Sequence, residues 1–239
     1  MANDNVSTYV TRLLCGTQGC LSFKQLHKEV NDKFGISCQA LIDILRDGSK
    51  FIIAQGKEEK IPGFDLSSDS TIITKTSVRL CESYPNCDNC NNLHLCKYFI
   101  YGTCPNGNGG DKCASSHESH SAHNLAILRK NQLQDLEEVK LFQLLLQNDS
   151  SLLPEICPYY NKGDGEHGSC EFKIDCANLH VCQYFYRGDC KFGSVCKRSH
   201  ESDPRKILAW RFSAEIASIL PGIYKNKYMI DNSERTNKA

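Results

Sequence analysis

The stretch that decides the fold is Cys182-Gln-Tyr-Phe-Tyr-Arg-Gly-Asp-Cys190-Lys-Phe-Gly-Ser-Val-Cys196-Lys-Arg-Ser-His200. Its three cysteines and one histidine are separated by seven, five and three residues. Three thiolates and one imidazole are a ligand set that suits tetrahedral Zn²⁺, a borderline-soft ion. Because four protein ligands leave no open coordination position, the stretch predicts a structural metal site and not a catalytic one.

The same ending, a cysteine followed by three residues and then a histidine, occurs four times. With 15 cysteines and 8 histidines in 239 residues, chance predicts about 0.5 such pairs. The four predicted ligand sets are Cys81, Cys87, Cys90 and His94; Cys96, Cys104, Cys113 and His117; Cys157, Cys170, Cys176 and His180; and Cys182, Cys190, Cys196 and His200. The predicted cofactor is therefore four structural zinc ions. The three remaining cysteines, Cys15, Cys20 and Cys38, are expected to be small core residues.

Composition narrows the class of protein. The chain has 28 basic and 28 acidic residues, so its formal net charge is zero and the simplest argument for nucleic-acid binding, a strongly basic chain, is missing. No apolar run approaches the ~20 residues of a membrane span, so no membrane partner is expected. The N-terminus does not resemble a signal peptide, and in a reducing compartment clustered cysteines more often bind metal than form disulfides.

An internal repeat organises the metal sites into pairs. Residues Asn92 to Phe99 recur, with two changes, as residues Asn178 to Phe185. The repeating unit is thus two fingers, and the last ligand of one finger lies two residues before the first ligand of the next. So short a link predicts that the two fingers of a pair pack as one body.

The predicted fold class is α-rich (α+β, small): a winged-helix-like domain followed by four CCCH zinc fingers in two tandem pairs, joined and flanked by helices. The predicted domains are 1–80 (winged-helix-like), 81–120 (fingers 1 and 2), 121–152 (linking helices), 153–202 (fingers 3 and 4), 203–230 (C-terminal helix) and 231–239 (disordered tail). Apolar spacing predicts linking helices at 122–131 and 136–147. A last helix is predicted from Pro204 to Ile219, ended by Pro221.

The first 80 residues contain no metal-ligand set. Helical spacing of apolar residues predicts helices at 6–15, 22–31 and 37–47, and β-rich runs predict strands at 51–54 and 71–74. Three helices followed by a two-stranded hairpin is the order of a winged helix. Because this fold serves nucleic-acid and protein contacts alike, and the segment holds 10 basic and 9 acidic residues, its role stays open.

Aromatic and basic residues lie together in the loops of the even-numbered fingers. From Cys182 to Arg211 there are seven basic and three acidic residues, a local positive excess. Basic residues among exposed aromatic rings suit single-stranded RNA better than duplex DNA, although a merely solvated charged face is the alternative. The predicted RNA-binding residues are Lys97, Tyr98, Tyr101, Lys112, Tyr184, Tyr186, Arg187, Lys191, Phe192, Lys197 and Arg198.

The last finger resembles the CCCH-type zinc fingers of RNA-binding proteins. Over residues 1–230, the chain is similar to the N-terminal region of the family that includes the zinc-finger antiviral protein and the CCCH-finger protein mono-ADP-ribosyltransferase twelve. The segment from Leu153 to Gly165 and on to His200 carries the closer likeness to the latter. The resemblance implies an RNA-binding module for single-stranded, viral RNA in antiviral defence. It also implies a cytoplasmic setting, with the nucleus and stress granules as alternatives, and protein partners in RNA decay.

The same resemblance implies an ADP-ribosyltransferase domain outside these residues, and no catalytic set or small-molecule substrate site is expected within them. In the antiviral protein the second finger selects a CG dinucleotide. Here the second finger reads Ala114-Ser115-Ser116 after its third cysteine, where the fourth finger has Lys197-Arg198 and also carries Phe192. We therefore expect the fourth finger to supply much of the RNA contact. The alternative function is an adaptor that binds proteins or ADP-ribose on the same scaffold.

Overall fold

The computed structural model describes residues 2–88, 90–106 and 113–236, and the side chains of 4–88, 90–106 and 113–233. The N-terminal part begins with three helices, α1 (Ala2–Gly16), α2 (Phe23–Phe34) and α3 (Cys38–Leu45). Serine caps set the start of two of them: the Ser22 hydroxyl accepts a hydrogen bond from the Gln25 amide, and Ser37 does the same for Ala40.

The strands of this part form a three-stranded antiparallel sheet in which the last strand of the chain lies in the middle. Two strands, β2 (Phe51–Ala54) and β3 (Thr71–Thr74), are those predicted from the sequence. The third, β1 (Cys20–Ser22), was not predicted, because three residues between two helices are too few to show an alternating pattern. Leu21 of β1 faces Ile72 of β3 in the register, and Ile52 of β2 faces Ile73. Helices and sheet together form a winged helix.

The linking segment and the C-terminus form the second, larger core. Helices α5 (Ala122–Lys130) and α6 (Glu138–Asn148) are close to their predicted positions. Short helices also open the second and fourth fingers, α4 (Lys97–Ile100) and α7 (Gln183–Arg187). This core combines buried side chains of both finger pairs, of the linking helices and of the C-terminal segment. From the fingers come Leu93, Leu95, Ile100, Leu179 and Val181, from the linking helices Leu128, Leu141 and Leu145, and from the C-terminal segment Leu220 and Ile223.

The predicted helix from Pro204 to Ile219 is wrong in both its continuity and its end. It divides into α8 (Pro204–Ala209) and α9 (Ala214–Thr236), and α9 passes through Pro221. A proline inside a helix removes one backbone hydrogen bond and costs about 3 kcal/mol. The helix continues because Leu220 and Ile223, on either side of the proline, are both fully buried.

The predicted disordered tail from residue 231 is also wrong for the described residues, because α9 extends to Thr236. Residues 237–239 lie outside them. The end of α9 is anchored by Ile230, which packs on Ile52 and Ile73 of the sheet. An ion pair of 2.8 Å between Lys227 and Asp231, one turn apart, adds to it.

Helix α9 thereby joins the winged helix to the fingers. The Asn226 side chain, which is 1% exposed, donates to the Gln18 carbonyl at 2.7 Å and to Gln147 Oε1 at 3.1 Å. The Gln147 amide in turn donates to the Thr74 carbonyl at 2.8 Å. Among the described residues no helix has the length and apolar character that a membrane span needs.

Candidate metal centres and nucleic-acid interface

Each of the four predicted ligand sets comes together in the structure. In every set the three cysteine sulfurs and one histidine nitrogen lie within 4.8 Å of one another. The sets combine the same residues that the spacing predicts. No disulfide forms between the cysteines, and all fifteen are free thiols. The three outside the sets are partly or fully buried, and burial raises the pKa of Cys15 to about 12, as expected of an inert core thiol.

The geometry of the sets fits zinc. Neighbouring sulfurs are 3.8 Å apart at Cys96–Cys104, Cys104–Cys113 and Cys182–Cys196. A tetrahedral zinc with Zn–S bonds of about 2.3 Å requires S–S edges of about 3.8 Å. The buried Nε2 atoms of His117, His180 and His200 have no hydrogen-bond partner among the described residues. The lone pair of such a buried nitrogen is free to coordinate a metal ion. Four zinc ions are the cofactor that these sites are built to hold.

An aromatic ring stacks on the ligand histidine in every finger. The ring centroids are 4.5 Å apart for Tyr84–His94, 4.7 Å for Phe99–His117, 4.6 Å for Tyr160–His180 and 4.1 Å for Phe185–His200. Each aromatic residue follows the first cysteine of its finger by three residues. This regularity was not among the sequence-based predictions, and it explains why aromatics recur in the finger loops: the ring fixes the imidazole orientation and shields it from water.

The two finger pairs are built alike. In the first pair the Cys81 amide donates to the Leu93 carbonyl at 2.9 Å, and in the second the Cys157 amide donates to Leu179 at 2.9 Å. The first ligand of each even finger is likewise held, since Cys182 donates to the Ser199 carbonyl at 2.7 Å. A buried side-chain amide on α5 then holds the last ligand of the first finger. Asn124, fully buried, hydrogen-bonds to both backbone groups of His94, at 2.8 and 3.1 Å.

The helices that open the even fingers end on glycines in the left-handed region. Gly102 has φ +83° and Gly188 has φ +84°. A Cβ on Gly102 would lie 2.6 Å from Ser213 Oγ, and one on Gly188 would lie 2.9 Å from Lys225 Cε. The second finger therefore approaches Ser213, the residue before α9, too closely for a side chain at position 102, whereas at position 188 the nearest atoms belong to the flexible end of the Lys225 side chain, which can move aside.

Two of the predicted RNA-stacking residues are buried, so this part of the prediction is wrong. Tyr101 and Tyr186 are each 1% exposed. The Tyr101 hydroxyl donates to the Leu152 carbonyl at 2.8 Å, and the Tyr186 hydroxyl is 2.7 Å from Ser202 Oγ. On these one-turn helices a residue that packs in the shared core cannot also face solvent. Tyr101 and Tyr186 are therefore core residues and do not offer their rings to bases.

Several of the predicted basic residues have protein partners. The Arg198 guanidinium donates to the carbonyls of Gly163 and Gly165 in the third finger, the latter at 2.8 Å, and lies 5.1 Å from the Tyr160 ring centroid. Arg187 lies 4.7 Å from the centroid of Tyr228. Arg198 thus links the fourth finger to the third, and Arg187 links the fourth finger to α9.

The remaining predicted residues differ in their exposure and in whether they already have a protein partner. Lys97 donates from Nζ to the Ser151 carbonyl at 3.1 Å, and Lys197 forms an exposed pair with Asp164 at 3.4 Å. Tyr98 and Tyr184 are 43% and 48% exposed, Phe192 is 66% exposed, and Lys191 is exposed. Lys112 lies outside the described residues. The structure also exposes Phe172 of the third finger, which was not predicted although it follows Cys170 as Phe192 follows Cys190.

Tyr98 lies in the wall of a cleft between the first and second fingers. The cleft has a volume of about 510 Å³. Its polar lining includes Glu82, Lys97, Asn106, Ser115 and Ser151. The cleft is thus a concave surface of the fingers where an exposed ring, a cation and hydrogen-bonding groups meet.

Two family models match parts of the chain. A model described as the PARP12 winged helix domain matches residues 2–74, and one described as the PARP12-like CCCH zinc finger tandem matches residues 79–124. Human zinc finger CCCH-type antiviral protein 1-like is 35% identical over 84% of the chain and 71% of its own length. The chain belongs to this family of PARP12-like CCCH zinc-finger proteins.

Other relatives show how much of a longer protein the chain matches. Human protein mono-ADP-ribosyltransferase PARP12 is 39% identical over 97% of the chain, which is 34% of the relative. Rat zinc finger CCCH-type antiviral protein 1 is 28% identical over the whole chain and 30% of its own length. The chain spans about a third of PARP12, and it matches the winged-helix and zinc-finger region and not the catalytic domain. The tandem fingers and these relatives support a zinc-finger RNA-binding role.

Proposed function

We propose that the chain binds single-stranded RNA in the cleft between its first and second fingers. One observation carries the proposal: the ring of Tyr98, 43% exposed, stands in the wall of this cleft on the metal-anchored helix α4. Base stacking on an exposed aromatic ring is worth about 1–3 kcal/mol. The helix begins directly after the zinc ligand Cys96, so the ring is held in place before RNA arrives.

The lining of the cleft favours unpaired bases. A base can stack flat on the Tyr98 ring only when it is not already paired and stacked between neighbouring bases, as it is in a duplex. The side chains of Glu82, Asn106 and Ser115 can then hydrogen-bond to the edges of that base, which are occupied in a duplex. The cleft should therefore discriminate against double-stranded RNA of the same sequence.

The fourth finger, which its sequence leads us to expect to supply much of the RNA contact, is proposed together with the third finger as a second contact region. Phe172 and Phe192 are 71% and 66% exposed, and each lies next to an exposed lysine, Lys173 and Lys191. Both rings lie beside short 3₁₀ turns that end on zinc ligands, Cys176 and Cys196. Stacking on these rings, with the lysines close to phosphates, would extend the path of one strand beyond the cleft.

The biological setting is proposed from the relatives. Two of them carry "antiviral protein" in their names, so viral RNA is the proposed target. The cytoplasm is the proposed compartment, since twelve zinc-ligating thiolates require reducing conditions. In a longer protein like PARP12, the module would bring an ADP-ribosyltransferase to RNA and to proteins of RNA decay or stress granules.

The test is a fluorescence-anisotropy titration of a labelled single-stranded RNA of about 12 nucleotides, within the range of lengths that single-strand-binding folds contact, at two salt concentrations. We expect affinity to fall steeply with salt, because phosphate contacts release counterions. Tyr98→Ala should weaken binding about tenfold. Leu208→Ala, a 77% exposed apolar residue on α8, is the matched control and should bind as the wild type does.

Two results would contradict the proposal. Equal affinity for a duplex of the same sequence would show that unpaired bases are not what is recognised. Negligible affinity at both salt concentrations would favour the adaptor function, in which the scaffold binds proteins or ADP-ribose.

A further inference from the structure

The break between α8 and α9 places one residue in an unusual conformation. Arg211 has φ +59°, in the left-handed region that residues with a Cβ rarely adopt. Glycine would occupy this position without strain. Residues held in strained backbone conformations are concentrated at binding sites. The side chain of an arginine in this position is therefore a candidate for a binding contact.

The break is fastened to the second finger by the carbonyl of Arg211 and by the amide of Ser213, two residues later. The Ser213 amide donates to the Tyr101 carbonyl at 2.7 Å, and the Thr103 hydroxyl donates to the Arg211 carbonyl. The Phe212 ring packs on the Tyr101 ring, with centroids 4.7 Å apart. The backbone of Arg211 is therefore fixed against the finger whose cleft holds Tyr98.

The side chain of Arg211 extends over the exposed ring in that cleft. Its guanidinium carbon lies 5.9 Å from the Tyr98 ring centroid. Arg211 itself is exposed, and it forms no ion pair with any described residue. In this it differs from Arg198 and Arg205, whose guanidinium groups donate to Gly165 and Asp203.

The second finger lacks cations of its own at the matching positions. After its third cysteine the fourth finger has Lys197 and Arg198, where the second has Ala114 and Ser115. Among the residues that line the cleft the cation is Lys97, and its Nζ already donates to the Ser151 carbonyl at 3.1 Å, so a cation without a protein partner has to come from outside this lining. Arg211, whose guanidinium carbon lies beside the Tyr98 ring, can supply that cation.

We propose that Arg211 is an RNA-contacting residue that completes the second-finger cleft, its guanidinium binding the phosphate next to a base stacked on Tyr98. This inference rests on the proposed single-stranded RNA binding. Arginine suits the role because its planar, always-charged group can lie on an aromatic ring and still donate to phosphate oxygens.

The decisive variant is Arg211→Gly, which removes the side chain and relieves the left-handed backbone at once. We expect full occupancy of the zinc sites and a thermal midpoint close to that of the wild type. Affinity for the same single-stranded RNA should fall about tenfold at low salt, and the slope of log K against log salt should become shallower by about 0.7, the value of one lost phosphate contact. Arg211→Lys should fall between the two.

Arg46→Ala is the matched control, since it removes one exposed positive charge from the winged helix and should leave affinity essentially unchanged. If Arg211→Gly binds RNA with the affinity and salt slope of the wild type, the proposed role of Arg211 is overturned. The proposed binding of single-stranded RNA is not overturned by that result. A wild-type chain that does not bind the RNA at either salt concentration would overturn the proposed function, and the inference with it.

Discussion

Tyr160 stacks on the zinc ligand His180, with ring centroids 4.6 Å apart and planes 17° apart. Its hydroxyl also accepts a hydrogen bond of 3.1 Å from the Ser199 amide, which belongs to the fourth finger. One side chain thus orients the histidine of the third zinc and holds the residue beside the last ligand of the fourth. The two metal sites of the pair are coupled through it.

Tyr160→Phe should separate these two tasks. The ring and its stacking on His180 stay, but the Ser199 amide, in a partly buried hydrogen bond, loses its protein partner, which costs about 1 kcal/mol. We expect a lower free energy of unfolding and faster zinc loss from the fourth site, followed with a chromophoric chelator. Unchanged zinc-release rates would show that the hydrogen bond does not couple the sites.

Tyr101→Phe should weaken the fold without weakening RNA binding. It removes the buried hydroxyl that donates to the Leu152 carbonyl at 2.8 Å, at a cost of about 1–3 kcal/mol. Chemical denaturation measures the first effect and RNA anisotropy the second. A loss of RNA affinity in a stably folded Tyr101→Phe chain would restore the stacking role that burial argues against.

Arg198 and Lys191 should differ in what they contribute, although both were predicted to bind RNA. Arg198→Ala removes the hydrogen bonds to the third-finger loop at Gly163 and Gly165, so it should destabilise the second pair. Lys191→Ala should leave stability within about 0.5 kcal/mol, as expected of an exposed substitution. The lysine variant should lose RNA affinity at least as much as the arginine variant; the reverse order would place Arg198 in the RNA contact.

Gly102→Ala should destabilise the fold by more than the strain of its left-handed backbone, because the new Cβ would meet Ser213 Oγ at 2.6 Å. Gly193 is the control: it has φ +50°, but a Cβ added there would have no neighbour within 4 Å. Gly193→Ala should therefore show only the backbone cost, about 1–2 kcal/mol. Equal losses of stability in the two variants would mean that the close approach of position 102 to Ser213 does not exclude a side chain there.

The metal sites could be predicted from sequence because their chemistry is local. Each ligand spacing is short, and the residue types that bind zinc are few, so Cys182 to His200 identifies its own site. The stacking of Phe185 on His200 was equally local and could have been found from its fixed offset. Helix α2, with a serine cap and a glycine end, was predictable for the same reason.

What could not be predicted depends on contacts distant in the chain. Whether Tyr98 or Tyr101 faces solvent is decided by α9 and by Leu152, far along the sequence. Pro221 marks a helix end in local rules, but the burial of Leu220 and Ile223 overrides it. Arg211 lies outside every finger motif, and only the docking of the helix break on Thr103 brings it over Tyr98.

The most direct test of RNA binding in the cleft is photocrosslinking of a thiouridine-containing single-stranded RNA to the zinc-loaded chain, with the attached residues identified by mass spectrometry. We predict crosslinks at Tyr98 and in the surrounding cleft, with a second group at Phe192, and their loss when a chelator removes zinc. Crosslinks confined to the winged helix, or a pattern unchanged by the chelator, would contradict the account.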